Sequence, residues 1–535
     1  MQARRNTSGT VPEKSAAALC ARPVRVGVLA RGADRFRGRA ATVMGLGLFG
    51  GGAGAARYLV NRGARVTVTD LKDAAALAPS IRALEGLPIT YHLGGHVPAD
   101  FTAADILVVN PGVDKRKSGF VHMAETAGAE ITSEMNLFIE ACPAPVLGVT
   151  GSSGKSTTTA LAGEMLRGRR PSRVGGNIGI SLLDEVGQIG PDEWVVLELS
   201  SFQLQDLAAL RWSPRLAVAT CLSENHLDRH ESMENYVEAK KNIVRFQSPG
   251  DTVVLNADDE ALRLWEPEAR RRASRAVWYS TRRPLDEGVF IDGPMLVFRL
   301  GAAEERVDLA GRVHLLGRHN LSNIAAAAAA ARLLDVPAEA IAGAVGAFRP
   351  LPHRLEPVGR LGGVLLVDDS KATTPAAAAV SMEAFEQPIV LIAGGRDKDM
   401  KMAPMIEAIR RRARAVVLIG EMAGAIQEAL GPVAAATVHR AENSENRDAS
   451  HFPHFHDGKW EASLFSHGPV GPPVHRAGDM PEAVARAVHI ARPGDVVLLA
   501  PGYTSLDMFD NYERRGDAFR QAARGLGMEP LVTAS

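Results

Sequence analysis

The sequence has few cysteines, no long apolar run and no excess of charge of either sign. The three cysteines, Cys20, Cys142 and Cys221, have the spacing of neither a disulfide framework nor a zinc site, so we expect reduced thiols and a cytoplasmic protein. No apolar stretch is long enough to cross a bilayer. Basic and acidic residues number 61 each, so charge gives no reason to expect nucleic acid or an anionic membrane as partner.

Two segments depart from the composition of a folded domain. The first forty residues are rich in arginine, and the arginines interrupt every apolar patch, which argues against a secretory signal. We therefore expect residues 1–38 to be a disordered extension. Residues 441–479 are rich in Ser, Asn, Pro, Gly and His, without any period. Their histidines suggest a metal site, but no cysteine or acid accompanies them at ligand spacing, so we predict a disordered surface insertion.

Between these segments, apolar runs of strand length alternate with helical stretches. A chain of 535 residues is longer than one core usually supports, which predicts three domains. We expect all three to be α/β, with boundaries at 39–143, 144–349 and 350–535, and with ligands at the carboxyl ends of parallel strands. The predicted strands are Ile106–Val109, Val146–Thr150, Trp194–Leu199, Leu216–Thr220, Val364–Val367, Ile389–Ala393, Val416–Ile419 and Val496–Ala500.

A phosphate-binding loop follows one of these strands, in the stretch GVTGSSGKSTTTAL. Backbone N–H groups around its glycines, the start of a helix and a lysine together favour an anion, and a hydroxyl could reach Mg²⁺. The first glycine of a full Walker A motif would fall on Val149, so the loop suggests ATP binding without identifying the class of ATP-dependent protein. The candidate residues are Gly151, Ser152, Ser153, Gly154, Lys155, Ser156 and Thr157.

A second glycine turn opens the first domain. Gly45, Gly47 and Gly50 form G-x-G-x-x-G between a predicted strand and helix, and Asp70 follows at about twenty residues. This pattern predicts a Rossmann-like α/β domain. The glycine pattern with Asp70 would also suit a nicotinamide oxidoreductase. The phosphate-binding loop would also suit a P-loop motor or transport ATPase. An oxidoreductase leaves the second and third domains unexplained, and a motor or transport ATPase predicts a full Walker A motif, whose first glycine this loop lacks.

Further polar residues follow predicted strands. Glu198 is placed to hold Mg²⁺, or else to cap the next helix through Ser200 and Ser201. The segment LSENHLDRHESMENYVEAKKN brings many such groups, but spacing alone assigns them no roles. Its candidates are His226, Asp228, His230, Glu234 and Lys240.

The asparagines of GRHNLSN could read a purine edge or cap a helix. In the third domain, charged and hydroxyl side chains again follow strands. The candidates from here on are Asn320, Asn323, Arg354, Asp369, Ser370, Lys371, Thr373, Ser505 and Tyr512.

Taken in order, these motifs resemble the Mur ligase family. They are TGSSGKST, LELSSFQL, ENHLDRH with YVEAK, GRHNLSN, LPHR, DDSKATTP and SLDMFDNYERRG. The similarity covers the chain from about Thr42 to Ala523, apart from the His-rich insertion. It implies a Rossmann-like first domain, a P-loop-type central ATPase domain and a Rossmann-like third domain.

The resemblance also implies an activity and its reactants. Members of the family activate the carboxylate of a UDP-muramoyl peptide with ATP and form an amide with an amino acid, in peptidoglycan precursor synthesis. DDSKATTP and SLDMFDNYERRG resemble the branch that adds D-glutamate to UDP-N-acetylmuramoyl-L-alanine; L-glutamate or another acceptor amino acid is the alternative. We expect ATP, two Mg²⁺ ions and a monomeric protein.

Site residues follow from the same resemblance. Lys155 would neutralise phosphate charge, Ser156 and Glu198 would hold one Mg²⁺, and His226 with a carbamylated Lys240 would hold the second. Asn320, Asn323, Arg354 and Asp369 would surround the nucleotide. The residues expected to bind the UDP-muramoyl substrate are Gly45, Gly47, Leu48, Phe49, Gly50, Asp70, Asn177 and His226. Those expected to bind the amino acid are Thr373, Lys398, Ser505 and Tyr512.

Overall fold

The structure is a computed structural model that describes residues 33–48, 50–225, 227–271, 275–301, 304–397, 400–431 and 471–531. The chain divides into two compact units. Met1–Leu309 and Ser322–Val345 form the first unit, and Ala310–Leu321 and Gly346–Ser535 form the second. The described strands make three sheets, two in the first unit and one in the second.

The first sheet is parallel, with its described strands in the order β3-β2-β1-β4-β5. This order confirms the predicted Rossmann-like domain, because it reverses between β1 and β4 and so opens a ligand crevice there. The strands are β1 Ala40–Met44, β2 Arg65–Asp70, β3 Ile89–Leu93, β4 Ile106–Val109 and β5 Glu130–Thr132. The helices are α1 Gly51–Asn61, α2 Ala78–Arg82, α3 Pro98–Thr102, α4 Gly119–Thr126 and α5 Glu134–Ala141.

The second sheet has its described strands in the order β14-β13-β12-β11-β10-β9-β6-β8-β7. Its strands are β6 Val146–Thr150, β7 Ser172–Gly176, β8 Trp194–Glu198, β9 Leu216–Ala219, β10 Thr252–Asn256, β11 Arg275–Ser280, β12 Gly288–Asp292, β13 Met295–Arg299 and β14 Glu304–Asp308. From β7 to β12 neighbouring strands are parallel, whereas β13 and β14 run antiparallel to their neighbours.

Helices of the central region follow most of these strands. They are α6 Lys155–Leu166, α7 Ser201–Leu207, α8 Leu227–His230, α9 Met233–Arg245, α10 Glu260–Arg263, α11 Glu266–Arg271, α12 His319–Leu333 and α13 Ala338–Ala347. Short 3₁₀ segments occupy Leu183–Gln188 and Ala208–Leu210. In α12, the alanines from Ala325 to Ala331 are fully buried.

The third sheet has its described strands in the order β15-β16-β20-β17-β18-β19. Its strands are β15 Glu356–Leu361, β16 Val364–Asp368, β17 Ile389–Gly394, β18 Ala413–Ile419, β19 Val474–Arg476 and β20 Val496–Gly502. All are parallel except β15, which pairs antiparallel with β16. The helices are α14 Pro375–Met382, α15 Ala403–Arg412, α16 Ala423–Leu430, α17 Met480–Ile490 and α18 Tyr512–Gly525.

The two sheets of the first unit share one hydrophobic core. Leu59 of α1 and Leu137 of α5 belong to the same buried cluster as Leu183 and Leu204 of the central region. The first and second sheets are therefore joined by apolar packing and not by a linker alone. Among the described helices we find none with the length and apolar character of a bilayer-spanning segment.

The expected extent of the N-terminal extension is wrong for its last residues. Ala33–Phe36 form a 3₁₀ turn, and the Phe36 ring is 3% exposed, with its centroid 5.8 Å from that of Tyr58. Arg35 forms ion pairs with Glu130 and Glu140. These contacts make residues 33–38 part of the first domain, and residues 1–32 lie outside the described residues.

The expected disordered insertion also ends earlier than predicted. Val474–Arg476 form β19, which pairs with β18 in the register Val416 to Val474. A strand of three residues gives too short an alternation to be read from sequence. Residues 441–470 lie outside the described residues, so the prediction for them stays a prediction.

Candidate active site

The phosphate-binding loop is packed too tightly for side chains at its two glycines. A Cβ on Gly151 would lie 1.9 Å from Thr220 Oγ1, and a Cβ on Gly154 would lie 2.2 Å from Asn323 Oδ1. Gly154 is also the N-cap of α6, with φ of 79°, which favours glycine. The loop therefore presents backbone at a helix N-terminus, the arrangement that suits phosphate.

Side chains from the loop and its neighbours hold this conformation. Lys155 Nζ donates to the carbonyl oxygens of Gly151 and Ser152 at 3.1 and 3.2 Å. Ser152 Oγ lies 3.0 Å from the Tyr236 hydroxyl and accepts from the Ser223 amide at 2.9 Å. Tyr236 was not among the predicted site residues, because an aromatic on an amphipathic helix has the sequence signature of core.

Glu198 ends β8 as a buried carboxylate beside the start of α6. Its side chain is 2% exposed. Ser156 donates a hydrogen bond to Oε2, and Asn177 Nδ2 donates to Oε1 at 2.8 Å. The alternative role of Glu198 as a helix cap is wrong, because Ser200 caps α7 in a capping box with Gln203. The structure thus brings Ser156, Asn177 and Glu198 together, and Thr157 is buried next to them in α6.

Lys240 is a buried amine directly behind the phosphate-binding loop. It is 1% exposed, and Nζ donates to the Gly151 carbonyl at 2.8 Å. Nζ also lies 4.8 Å from the Tyr236 ring centroid. Burial holds the pKa of Lys240 well below its ordinary value, and the charge of Lys155 lowers it further. A neutral amine at this position is a nucleophile.

The other candidate residues in and after ENHLDRH have different surroundings in the structure. His226 lies outside the described residues, and nothing is described of the Asp228 side chain. His230 Nε2 is 2.9 Å from Ser201 Oγ, and its ring stacks on Phe202, so its role is packing. Glu234 is exposed at the start of α9, where hydrogen bonds with its own backbone N–H and with Ser232 lower its pKa.

The oxygens at this site suit Mg²⁺, which prefers carboxylate and hydroxyl ligands. Among the described residues, no group of three or more His, Cys, Asp or Glu side chains could hold a metal ion by itself. Within that part of the chain, the oxygen atoms available for the predicted magnesium site are those of Glu198 and Ser156. The Lys240 side chain lies nearby and is an unmodified amine.

The glycine turn of the first sheet lies at the crevice between β1 and β4. Asp70 accepts hydrogen bonds from the backbone N–H groups of Gly47 and Lys72 at 3.1 and 2.9 Å. A Cβ on Gly45 would lie 2.8 Å from Asn110 Cβ. Gly50 is the N-cap of α1 and Leu48 is exposed, so a helix N-terminus and a solvent-facing loop meet here. Phe49 lies outside the described residues.

Two asparagines were predicted to contact a nucleotide, and both lie near the start of α12. Asn323 Oδ1 accepts from Thr158 Oγ1 at 3.3 Å, beside the phosphate-binding loop. Asn320 Nδ2 donates to the Leu316 carbonyl at 2.7 Å, which is a local backbone contact in the second unit.

Asp369 is a buried carboxylate in the second unit. It accepts hydrogen bonds from the Ser381 hydroxyl and from the Leu355 amide, the latter at 3.2 Å. Burial raises the pKa of Asp369 to about 6, although these hydrogen bonds and the charge of Arg354 oppose the shift. Through Leu355, Asp369 fixes the loop that carries Arg354.

The remaining predicted residues of the second unit lie after β16 and β20. Tyr512 begins α18, with Lys371 Nζ 4.8 Å from its ring centroid and the His353 ring edge-on at 6.1 Å. Ser505 is 4% exposed, and its carbonyl accepts from the amides of Met508 and Phe509. Thr373 is half-buried, and Lys398 lies outside the described residues.

Three family models match the chain. The model of the Mur ligase MurD-like N-terminal domain matches residues 39–133, that of the Mur ligase middle domain residues 149–331, and that of the Mur ligase glutamate ligase domain residues 353–502.

Curated relatives match almost the whole chain. A protein of Roseiflexus sp. (strain RS-1) is 42% identical, covering 91% of this chain and 98% of its own length. One of Symbiobacterium thermophilum is 38% identical, with the same coverage. Both are named UDP-N-acetylmuramoylalanine–D-glutamate ligase.

Solved structures share the fold at lower identity. The UDP-N-acetylmuramate–alanine ligase of Thermotoga maritima gives a TM-score of 0.56 at 17% identity, covering 91% of this chain and 99% of its own. A pseudomurein peptide ligase type C of Methanothermus fervidus gives 0.53 at 16% identity, covering 91% and 100%.

Proposed function

The chain belongs to the Mur ligase family, and we propose that it adds D-glutamate to UDP-N-acetylmuramoyl-L-alanine, releasing ADP and phosphate. The names of the relatives at 42% and 38% identity support this substrate pair. The observation that carries the proposal is the buried Ser156–Glu198 pair beside a phosphate-binding loop, with the Lys240 amine behind that loop.

The reaction consists of two group transfers. The alanyl carboxylate attacks the γ-phosphorus of ATP, so that ADP leaves and an acyl phosphate forms. The D-glutamate amine then attacks the acyl carbon, loses a proton, and expels inorganic phosphate from a tetrahedral intermediate. The first step brings two anions together, so cationic groups at the phosphates lower its barrier. Lys155 supplies one such charge, and the backbone from Gly151 to Thr157 binds the phosphates.

Magnesium fits the oxygens at the end of β8. Ser156 and Glu198 would hold one ion, and His226 with a carbamylated Lys240 would hold another. Bound there, the metal ions shield the charge between carboxylate and phosphate. Asn177 supports this assignment because its hydrogen bond to Oε1 orients the carboxylate of Glu198.

Carbamylation suits the environment of Lys240. A neutral amine adds CO₂ and releases one proton, which converts the uncharged side chain into an anionic carbamate. Burial already favours the neutral amine, and the adjacent Lys155 charge favours an anion at the same place. The carbamate would give the site a second carboxylate-like ligand next to Glu198.

The three reactants are assigned to separate groups of residues. Gly45, Gly47, Leu48, Phe49, Gly50 and Asp70 would bind the UDP moiety, with Asn177 and His226 toward the muramoyl peptide. Asn320, Asn323, Arg354 and Asp369 would contact the nucleotide. Thr373, Lys398, Ser505 and Tyr512 would bind D-glutamate. We propose a cytoplasmic monomer, in line with the unpaired thiols of Cys142 and Cys221.

Phosphate release in the presence of ATP, Mg²⁺ and UDP-N-acetylmuramoyl-L-alanine tests the proposal. We expect release to require D-glutamate, and L-glutamate, L-alanine and other amino acids to support little or none. Lys155→Ala is expected to abolish release, because the phosphates lose a nearby cation. Release without any amino acid would point to a simple ATPase, and release with a different amino acid would point to another ligase of the family.

A further inference from the structure

Arg229 connects the second sheet region to the turn that follows β4 of the first sheet. From α8, its Nη1 donates to the Gly112 carbonyl at 3.1 Å, and its Nη2 donates to the Val113 carbonyl at 3.0 Å and the Pro111 carbonyl at 3.5 Å. Nε lies 3.5 Å from Asp114 Oδ2. One guanidinium therefore binds four consecutive residues of the turn.

The same turn is joined to the glycine turn proposed to bind the UDP diphosphate. Asn110 Nδ2 donates to the Gly45 carbonyl at 3.3 Å, and Asn110 Oδ1 accepts from the Gly112 amide at 2.9 Å. Asn110 also packs closely against Gly45, since a Cβ on Gly45 would lie only 2.8 Å from Asn110 Cβ. Direct contacts thus run from Gly45 through Asn110 and Gly112 to Arg229.

On its other side, Arg229 is fixed to the helix that follows Glu198. Its guanidinium carbon lies 4.6 Å from the Phe202 ring centroid. His230, the next residue, stacks on the same ring and contacts Ser201. Phe202 and Ser201 lie in the first turn of α7, a few residues beyond the end of β8. Arg229 also comes three residues after His226 in the chain.

We propose that Arg229 is a positioning residue, which sets the place of the UDP-holding turn relative to the Ser156–Glu198 pair. The inference rests on the proposed ligase function. A substrate held at its UDP end by one sheet must deliver its carboxylate to phosphates held by the other. A displacement of about 1 Å between reacting groups can cost about 10²-fold in rate. The planar guanidinium, with five donors, spans several acceptors at once, which an ammonium group cannot do.

Arg229→Lys and Arg229→Ala test this role, and Arg57→Ala is the matched control. Arg57 also joins the two sheets of the first unit, through its ion pair with Asp184, but that pair is outside the turn at 110–114. For both Arg229 variants we expect kcat to fall about 10- to 100-fold, while KM for ATP and Kd for the UDP substrate stay within about twofold. For Arg57→Ala we expect kcat within twofold of the unchanged protein.

A merely structural role would give a different pattern. Arg229 variants that retain kcat within twofold overturn the inference, and so does a loss in Arg57→Ala as large as in Arg229→Lys. A parallel rise in KM for ATP would also overturn it, because the phosphate-binding loop itself would then be disturbed. If Arg229→Ala fails to fold, the lysine variant decides by the same criteria.

Hydrogen exchange separates this inference from the proposed function. We expect the backbone amides of Asn110, Gly112, Val113 and Asp114 to exchange at least tenfold faster in Arg229→Lys, with those of residues 155–158 unchanged. Unchanged exchange at 110–114 overturns the positioning role, whatever the protein ligates. Ligation of an amino acid other than D-glutamate would overturn the proposed function, but the exchange measurement would still test the positioning role of Arg229.

Discussion

Replacing Lys240 with alanine is expected to remove most of the ligase activity while leaving the fold intact. The side chain is 1% exposed, and Nζ donates to the Gly151 carbonyl of the phosphate-binding loop. Alanine removes both the amine that would add CO₂ and the anion that the carbamate would supply near Glu198. Lys155 also donates to the Gly151 carbonyl, at 3.1 Å, so that oxygen keeps a hydrogen bond in the variant.

The expected magnitudes differ for catalysis and for stability. Loss of one preorganised electrostatic partner typically costs about 10²- to 10³-fold in kcat, or about 3 kcal/mol. The stability effect is smaller, because a buried amine is itself costly and its acceptor stays paired. We expect the free energy of unfolding to change by about 1 kcal/mol. Activity should therefore fall far more than stability does.

Phosphate release at saturating substrates, followed by addition of acetate or propionate, measures this effect. We expect a small carboxylate to restore activity about tenfold in Lys240→Ala, because it can occupy the space of the carbamate. Lys240→Arg should not be rescued, since its side chain fills that space. Lys241→Ala, at the next position of α9, should stay within twofold. If Lys240→Ala keeps more than a tenth of the activity and added carboxylate does not raise it, Lys240 does not carry a catalytic carbamate.

Three further predictions concern packing and titration. Gly154→Ala places a Cβ 2.2 Å from Asn323 Oδ1 at a φ of 79°. We therefore expect KM for ATP to rise at least tenfold and the free energy of unfolding, measured by thermal unfolding, to fall by about 1–2 kcal/mol. An unchanged KM for ATP would contradict this expectation. Phe36→Ala should lower the free energy of unfolding by about 3 kcal/mol in urea, because the ring is buried. An unchanged free energy of unfolding would mean that residues 33–38 are not part of the folded first domain. Burial raises the pKa of Asp369 to about 6, so the folded state holds its proton more tightly than the unfolded state, and stability should fall as pH rises from about 4 to 6. Asp369→Asn should remove that slope in unfolding titrations, and an identical slope would count against the assignment.

Much of the fold could be predicted because the central strands are short, continuous apolar runs. Ile106–Val109 and Val146–Thr150 have the predicted bounds, and both strands are fully buried between layers. The two glycine turns could be predicted because close approach and positive φ at Gly45 and Gly154 admit glycine alone. The antiparallel strand β14 escaped prediction, because charged residues in EERVD mask the alternation of a sheet edge.

The parts of the site that could not be predicted depend on contacts between distant residues. Asn177 orients Glu198 from the turn after β7, and Tyr236 contacts Ser152 across 84 positions of the chain. Arg229 is one of 61 basic residues, and nothing in its neighbourhood distinguishes its side chain from a solvated one. Three of its partners are backbone carbonyls, which leave no trace in side-chain patterns.

In the proposed function, ATP activates a substrate carboxylate by direct phosphoryl transfer at the Lys155 loop. Oxygen-18 in the alanyl carboxylate of UDP-N-acetylmuramoyl-L-alanine tests it directly, with mass spectrometry of the released phosphate. We expect one labelled oxygen in each phosphate, because the bridging oxygen of the acyl phosphate leaves with the phosphate when the amine attacks. Phosphate free of label, in unlabelled water and with D-glutamate present, would contradict it.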